Sequence, residues 1–316
     1  MTLDSIKNEI EKANSIVILT HESPDGDAMG SSLGMYFALK NLEKHADLII
    51  PEYSNTYSFL PGIENVKQEG NREGYDLAIA LDCTDIKRLN GFSEYFESAK
   101  FKIVIDHHSV NSMFGDLNYV NPASPACAQI LFLLFQYWGM EITKEIGTCL
   151  LTGIITDTGG FKYSNTTAES FELAAWLLNK GINVSEIYRK SMQVIPKSRF
   201  DLTLIALNRL ELLEDGKIAF TYITMEDEEK VNAKNGDHEG IVEFGRDIEG
   251  VEVSIFIRES DKGYKVSLRS NEYVNVSDIC VIFGGGGHQK AAGCTLPFSF
   301  ESAREKIINE TKSQLK

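Results

Sequence analysis

Near-continuous apolar runs of strand length are the feature that most limits how this chain can fold. Ile16–Thr20 (IVILT), Leu48–Ile50, Asp76–Leu81 (DLAIAL) and Lys102–Ile105 (KIVI) show almost no polar alternation, so neither face of such a strand is suited to water. Helical patterns follow or separate them: Ala28–Leu42, a segment opened by Ser124 and Pro125 as N-cap and first helical residue and running to Tyr137, Thr143 through Ile155, and Thr167–Lys180 with Gly181 as its stop. Buried strands alternating with helices predict an α/β domain, a parallel sheet covered by helices on both faces. The texture changes after Met192. Pro196–Leu213 reads as a connecting helix, Lys217–Thr224, Val251–Arg258 and Gly263–Ser270 alternate as half-buried strands, and Ser299–Lys316 is an amphipathic helix. That half reads as a smaller α+β domain. The expected division is 1–192 for the first domain, 193–205 for a linker helix region and 206–316 for the second domain.

Several runs of the first half end in acidic or imidazole side chains. IVILT runs into His21, Asp25 and Asp27 in HESPDGD; DLAIAL ends at Asp82; KIVI ends at Asp106, His107 and His108; the helix from Thr143 ends at Asp157 in TDTGGF. In open α/β sheets the carboxyl ends of the strands form the binding crevice. Singly, HESPDGD also reads as an Asx-type turn between strand and helix, Asp82 as a cap or turn former, and Asp157 as the start of a glycine-rich turn. Two adjacent histidines after an apolar strand have no packing role. Together, four segments deliver His or Asp to equivalent positions. An oxygen-rich set with a few imidazoles and no thiolate suits Mn²⁺ or Mg²⁺. Two such ions ~3.5–4 Å apart stabilise the charge that develops at phosphorus during hydrolysis. Asp82, central in the set, could bridge them. In the second half, Gly284–Gly287 either lets backbone N–H groups approach an anion or forms a hinge.

Composition narrows the field. The 31 basic and 46 acidic residues leave a net charge of −15, against a protein that grips long nucleic acid through its phosphates but not against a small anionic substrate. The five cysteines are odd in number and show no CxxC spacing, against a disulfide framework or structural zinc and for a cytoplasmic setting. The first twenty residues contain Asp4, Lys7, Glu9, Glu11 and Lys12 and lack the apolar core of a signal peptide. No window approaches the ~20 apolar residues that span a bilayer, so no membrane partner is expected.

HESPDGDAMGSS, ALDCTD, the DHH at 106–108 and TGIITDTGGF resemble, in order and spacing, the four motifs of the DHH phosphoesterase superfamily, and FGGGGHQKAAG (Phe283–Gly293) with SLRS (Ser267–Ser270) resembles the DHHA1 domain that follows. The likeness covers nearly the whole chain and is greatest to the compact oligoribonuclease/phosphoadenosine-phosphate phosphatase (nanoRNase) branch. It implies a DHH domain and a DHHA1 domain with the active-site cleft between them. It implies that His21, Asp25 and Asp82 hold one Mn²⁺, and that Asp27, Asp82, His107 and Asp157 hold a second, with Mg²⁺ or Co²⁺ as possible substitutes. By the same resemblance His108 faces the scissile phosphate, Asp106 orients its neighbours, and Arg269 with Gly285, Gly286, Gly287 and His288 grips the far end of the substrate. Lys290 and Arg258 are weaker candidates for that grip. The activity implied is hydrolysis of short oligonucleotides or dinucleotides to mononucleotides, together with dephosphorylation of 3′-phosphoadenosine 5′-phosphate. Alternatives are an exopolyphosphatase or pyrophosphatase using the same metals, and a non-catalytic nucleotide sensor. No long duplex is an expected partner; a homodimer is left open.

Overall fold

The computed structural model describes residues 2–70 and 74–316. They form two compact units that divide between Val194 and Ile195. In the first, α1 (Thr2–Lys12), β1 (Ile16–Leu19), α2 (Gly26–Asn41), β2 (Ala46–Ile49), β3 (Val66–Lys67), β4 (Leu77–Leu81), α3 (Ser93–Glu97), β5 (Phe101–Asp106), β6 (Leu117–Val120), α4 (Cys127–Tyr137), α5 (Lys144–Asp157), α6 (Ala168–Asn179) and α7 (Val184–Tyr188) follow in chain order. The strands form one parallel sheet in the order β3-β2-β1-β4-β5-β6. The chain leaves β1 towards β2 and β3, then returns to lay β4 on the other side. The switch point of the topology therefore lies between β1 and β4, where a crevice opens beyond the carboxyl ends.

Both faces of this sheet are covered, as apolar strands require. Side chains alternate across a strand. On one face Ile16, Ile18, Ile79, Leu81, Ile103 and Ile105 pack with Met29 and Leu33 of α2, Phe135 of α4 and Leu150 and Ile154 of α5. On the other, Val17, Leu19, Ala78, Ala80 and Val104 meet Tyr95 and Phe96 of α3. Helices α2 and α5 run antiparallel in close contact. A Cβ at Gly30 would stand 2.4 Å from the carbonyl oxygen of Cys149, and one at Gly153 would stand 2.6 Å from Oδ1 of Asp27. Only glycine permits this approach, and it sets the start of α2 beside the end of α5.

Two expected helix boundaries are corrected. α4 begins at Cys127, after Ser124 and Pro125, and its N-cap residue Ala126 contributes no side-chain cap. The Ser124 hydroxyl donates to the Ala126 carbonyl, and the amides of Cys127 and Ala128 are taken instead by the Asp27 carboxylate. The second correction is to Pro196–Leu213. The helix α8 covers Lys197–Asn208 only, and Glu211–Leu213 forms β7, paired antiparallel with β8 (Ile218–Ile223). The turn between them places Glu214, Asp215 and Gly216 at positive φ, a hairpin geometry that Asp-Gly favours.

The second unit continues with α9 (Met225–Lys230), α10 (Ile241–Arg246), β9 (Val253–Ser260), β10 (Gly263–Ser270), α11 (Val276–Ile282), β11 (Gly286–His288), β12 (Ala291–Leu296) and α12 (Phe300–Ser313). Its sheet has the order β11-β12-β10-β9-β8-β7 and is antiparallel except between β8 and β9. The core is built from Phe220, Ile255, Ile257, Leu268, Ile279 and Ile307. Among the described residues no helix is long and apolar enough to cross a membrane.

Candidate metal centre

The switch point positions the site. His21 follows β1 by two residues and is 5% exposed; Asp82 directly follows β4 and is 1% exposed. Asp82 has φ of 52°, a left-handed backbone that Asp tolerates better than most residues and that is frequent at functional positions. Its Oδ1 is buried with no hydrogen-bond partner. A buried carboxylate oxygen without a donor is costly, and a bound cation removes that cost. Asp25 caps α2, accepting the amides of Asp27 and Ala28 at 3.0 Å each. Asp27 is buried in the first turn of α2, and Asp157 closes α5.

These side chains fall into two groups whose ligand atoms lie within 4.8 Å of one another: His21, Asp25 and Asp82, and Asp27, His107 and Asp157. Asp82 faces both. Its Oδ2 is 3.8 Å from His21 Nε2, and its Oδ1 is 3.4 Å from His107 Nε2. His107 Nε2 is also 3.3 Å from Asp157 Oδ2 and 3.9 Å from Asp27 Oδ2. These spacings exceed a good hydrogen bond. They are near the separation of adjacent ligands around one small divalent ion with bonds of about 2.1 Å, roughly 3 Å or slightly more. A third group, Asp82, Asp106, His107 and His108, is also compact. The Asp106 oxygens, however, are already taken. Oδ1 accepts from the His107 amide at 2.7 Å and lies 2.8 Å from His108 Nδ1, and Oδ2 accepts from Asn111 Nδ2 at 2.6 Å.

Electrostatics follow the geometry. Burial, then the neighbouring Asp27 and Asp25, push the Asp82 carboxyl well above the ordinary range. Burial also raises Asp27. Burial and Asp27 raise Asp157 to about 8. Burial lowers His21, and the Arg88 guanidinium, 3.5 Å from its Nδ1, adds to that effect, so the imidazole is held neutral as a ligand must be. Burial pushes Asp106 upward, but hydrogen bonds from His108 and Asn111 outweigh it and hold the carboxyl low. The hydrogen bond to Asp106 in turn raises His108, whose side chain is partly exposed. The donor set, the orphaned oxygen and the crowded carboxylates all fit divalent cations. Arg88 and Asn111 are two further polar residues of the site that no sequence motif marks. Asn111, three residues beyond the DHH, carries a faint signal; Arg88, inside a short 3-10 helix (Ile86–Phe92), carries none.

A stability test follows from Asp157. The folded protein keeps its proton up to about pH 8, whereas the unfolded chain releases it near pH 4. Between these values the unfolded state binds fewer protons, so this group's contribution to stability falls as pH rises. Asp157→Asn should therefore raise the melting temperature of metal-free protein, by more at pH 8 than at pH 5. Melts in chelator at both pH values check this, and an equal shift at the two would reject it.

The residues singled out in the second unit form their own group. Arg269 of β10 and His288 of β11 both stand opposite Ala291 of β12, so the three share one row across the sheet, with the outer two about 10 Å apart. Arg269 Nε donates to Glu243 Oε1 at 3.0 Å. A Cβ at Gly285 would lie 2.2 Å from the Gly293 carbonyl oxygen, and one at Gly287, with φ of 149°, 2.5 Å from that of Ala291. Gly286 has open space where a side chain would be. The turn is thus as close to its neighbouring backbone as glycine alone allows.

Residues 15–154 match the family described as DHH family, N-terminal domain, and residues 215–316 match the DHHA1 domain. A Thermus thermophilus protein named bifunctional oligoribonuclease and PAP phosphatase NrnA is 36% identical over 303 residues, covering 95% of this chain and 90% of its own. A Streptococcus mutans protein, named as a probable member of the same kind, is 27% identical over 315 residues, covering 99% and 98%. The crystal structure of an exopolyphosphatase-related protein from Bacteroides fragilis superposes with a TM-score of 0.89 at 31% identity, covering 99% of this chain and 96% of the other.

Proposed function

The chain belongs to the DHH family with a DHHA1 domain, and on that premise we propose that it is a two-metal phosphoesterase that hydrolyses short oligonucleotides or dinucleotides to mononucleotides and removes phosphate from 3′-phosphoadenosine 5′-phosphate. The observation that carries the reading is Asp82, whose two oxygens face two separate ligand groups and one of which has no other partner. His21, Asp25 and Asp82 would hold one ion; Asp27, Asp82, His107 and Asp157 would hold the other. Mn²⁺ suits this mixed His/Asp set, with Mg²⁺ or Co²⁺ as substitutes. When bound, the ions supply positive charge opposite the phosphate oxygens and acidify a water nucleophile.

The protein's own groups do the rest. Asp106 fixes the His108 ring through Nδ1 and favours its protonated form, so Nε2 is left to donate to a phosphate oxygen or to pass a proton to the leaving oxygen. Asn111 locks Asp106 while also donating to the Cys83 carbonyl at 2.9 Å, which ties the loop after β5 to the loop after β4. Asp27 holds its position through the amides of α4 and the Ser31 hydroxyl. We assign substrate selection to the second unit, through Arg269, His288 and the turn Gly285–Gly287. A cytoplasmic protein fits five free, buried cysteines. The charge of −15 fits a short substrate better than a long duplex.

The likeness to an exopolyphosphatase-related structure supports a second reading, hydrolysis of inorganic polyphosphate by the same metal core. One panel separates the two. Protein stripped with a chelator and reloaded with Mn²⁺ should regain hydrolysis of a dinucleotide and of phosphoadenosine phosphate in preference to pyrophosphate or polyphosphate. Activity that survives stripping would reject the metal mechanism; preference for polyphosphate would favour the second reading.

A further inference from the structure

Glu252, immediately before β9, is 3% exposed, and its carboxylate is held by backbone amides. Oε1 accepts from Tyr273 N at 2.8 Å and Val274 N at 2.7 Å, and Oε2 accepts from Glu272 N at 3.0 Å. Three successive N–H groups converging on one carboxylate form a concave anion cradle, here filled by the protein itself. Charge-assisted bonds of this kind are roughly twice as strong as neutral ones. The Glu252 backbone adds a further tie, its carbonyl accepting Asn271 N at 3.0 Å.

The segment so fixed, 271–275, lies between Arg269 and the glycine-rich turn and is bonded to the latter's C-terminal flank. Lys290 Nζ donates to the Glu272 carbonyl, Ser270 Oγ donates to the Val274 carbonyl at 2.7 Å, and Ser270 N donates to the Lys290 carbonyl at 3.1 Å. Just beyond the segment, Val276 N donates to the Gln289 carbonyl at 3.0 Å and Ser277 Oγ to the Gly287 carbonyl at 3.0 Å. We infer that Glu252 is a positioning residue, which sets the glycine-rich turn and His288 against Arg269 by ordering the loop that joins them. The inference rests on the second unit being the part that grips the substrate.

Glu252→Gln keeps the shape but turns one acceptor oxygen into an N–H donor aimed at an amide N–H, so the cradle loses at least one bond. KM for a dinucleotide should rise roughly 5–20-fold while kcat changes less. Bis(p-nitrophenyl) phosphate, an ester without a nucleoside, should be hydrolysed within about twofold of the wild-type rate, because nothing in it reaches for the turn. Ser277→Ala removes a single bond at a partly exposed position and should raise the dinucleotide KM roughly 2–5-fold with no change in melting temperature. Arg269→Ala is measured alongside. Equal losses on both substrates for Glu252→Gln would make it a stability residue only and overturn the inference. A selective loss for Arg269→Ala with no KM change in Glu252→Gln or Ser277→Ala would overturn the inference and leave the gripping role standing. Equal losses for Arg269→Ala on both substrates would remove that role, and this inference with it. Should Glu252→Gln not fold, Ser277→Ala decides alone: a selective KM rise supports the inference and an unchanged KM overturns it.

Discussion

Replacing Asp82 with Asn is expected to lower turnover by on the order of 10²–10³-fold or more, without destabilising the metal-free protein. Each ion of a two-metal site contributes several kcal/mol of charge stabilisation in the transition state, and 1.36 kcal/mol is a factor of ten in rate. A residue facing both ligand groups touches both contributions, so its loss should cost more than that of His21, which faces one. The stability half of the expectation comes from burial. Asp82 is buried beside Asp27 and Asp25, and these neighbours disfavour its charge. Asn keeps the side-chain shape and tolerates φ of 52°, where Ala would add strain, while removing that charge. Steady-state kinetics at saturating Mn²⁺ and melts in chelator measure the two halves separately. Most of the wild-type rate in Asp82→Asn would end the bridging assignment. A large fall in metal-free stability would mean that Asp82 holds the fold rather than the ions.

Arg269→Ala should cost roughly 10–150-fold in kcat/KM on a dinucleotide, from a charge-assisted contact of about 1.5–3 kcal/mol. A group that grips the far end of a substrate holds it in ground and transition states alike, so the loss should fall mainly on KM, with some effect on kcat if the grip positions the scissile phosphate. The Glu243 pair complicates the measurement. Truncating Arg269 leaves Glu243 without its cation, and Glu243 Oε2 is already buried and unpartnered. The double variant Arg269→Ala/Glu243→Gln removes that orphaned charge, so the loss it retains is the one owed to the substrate. On bis(p-nitrophenyl) phosphate the loss should be several-fold smaller. Equal losses on both esters would place Arg269 in the catalytic centre or the folding core.

The parallel sheet was legible because its strands are apolar on both faces, a signal that depends on composition alone. β6 was not, because LNYV is a half-buried edge strand too short to show a period. The start of α4 is hidden from the sequence for a different reason. Ser124-Pro125 is a sound local cap signal, but the capping carboxylate comes from Asp27, and no local pattern reveals a partner a hundred residues away. The strand β7 reads in the sequence as the end of the preceding helix, although LEDGK carries an Asp-Gly turn. Of the site, the Asp and His residues stood out because they end apolar runs. Arg88 lies in a short 3-10 helix and ends no apolar run, Asn111 is marked only by its closeness to the DHH, and Glu252 is an ordinary glutamate until its three amide partners are seen.

The bond between Asp27 and the start of α4 joins residues 100 and 101 positions apart. A ribosome adding about 5–20 residues per second needs roughly 5–20 s to make that stretch of chain. Throughout that time Asp27 exists without the amides that fix it, and Asp157, its companion at the end of α5, is synthesised later still. The ligand group of Asp27, His107 and Asp157 is therefore complete only when nearly the whole first unit has been made. Under the proposed assignment, an ion at that group can be held only after Asp157 has been made, late in the synthesis of the first unit.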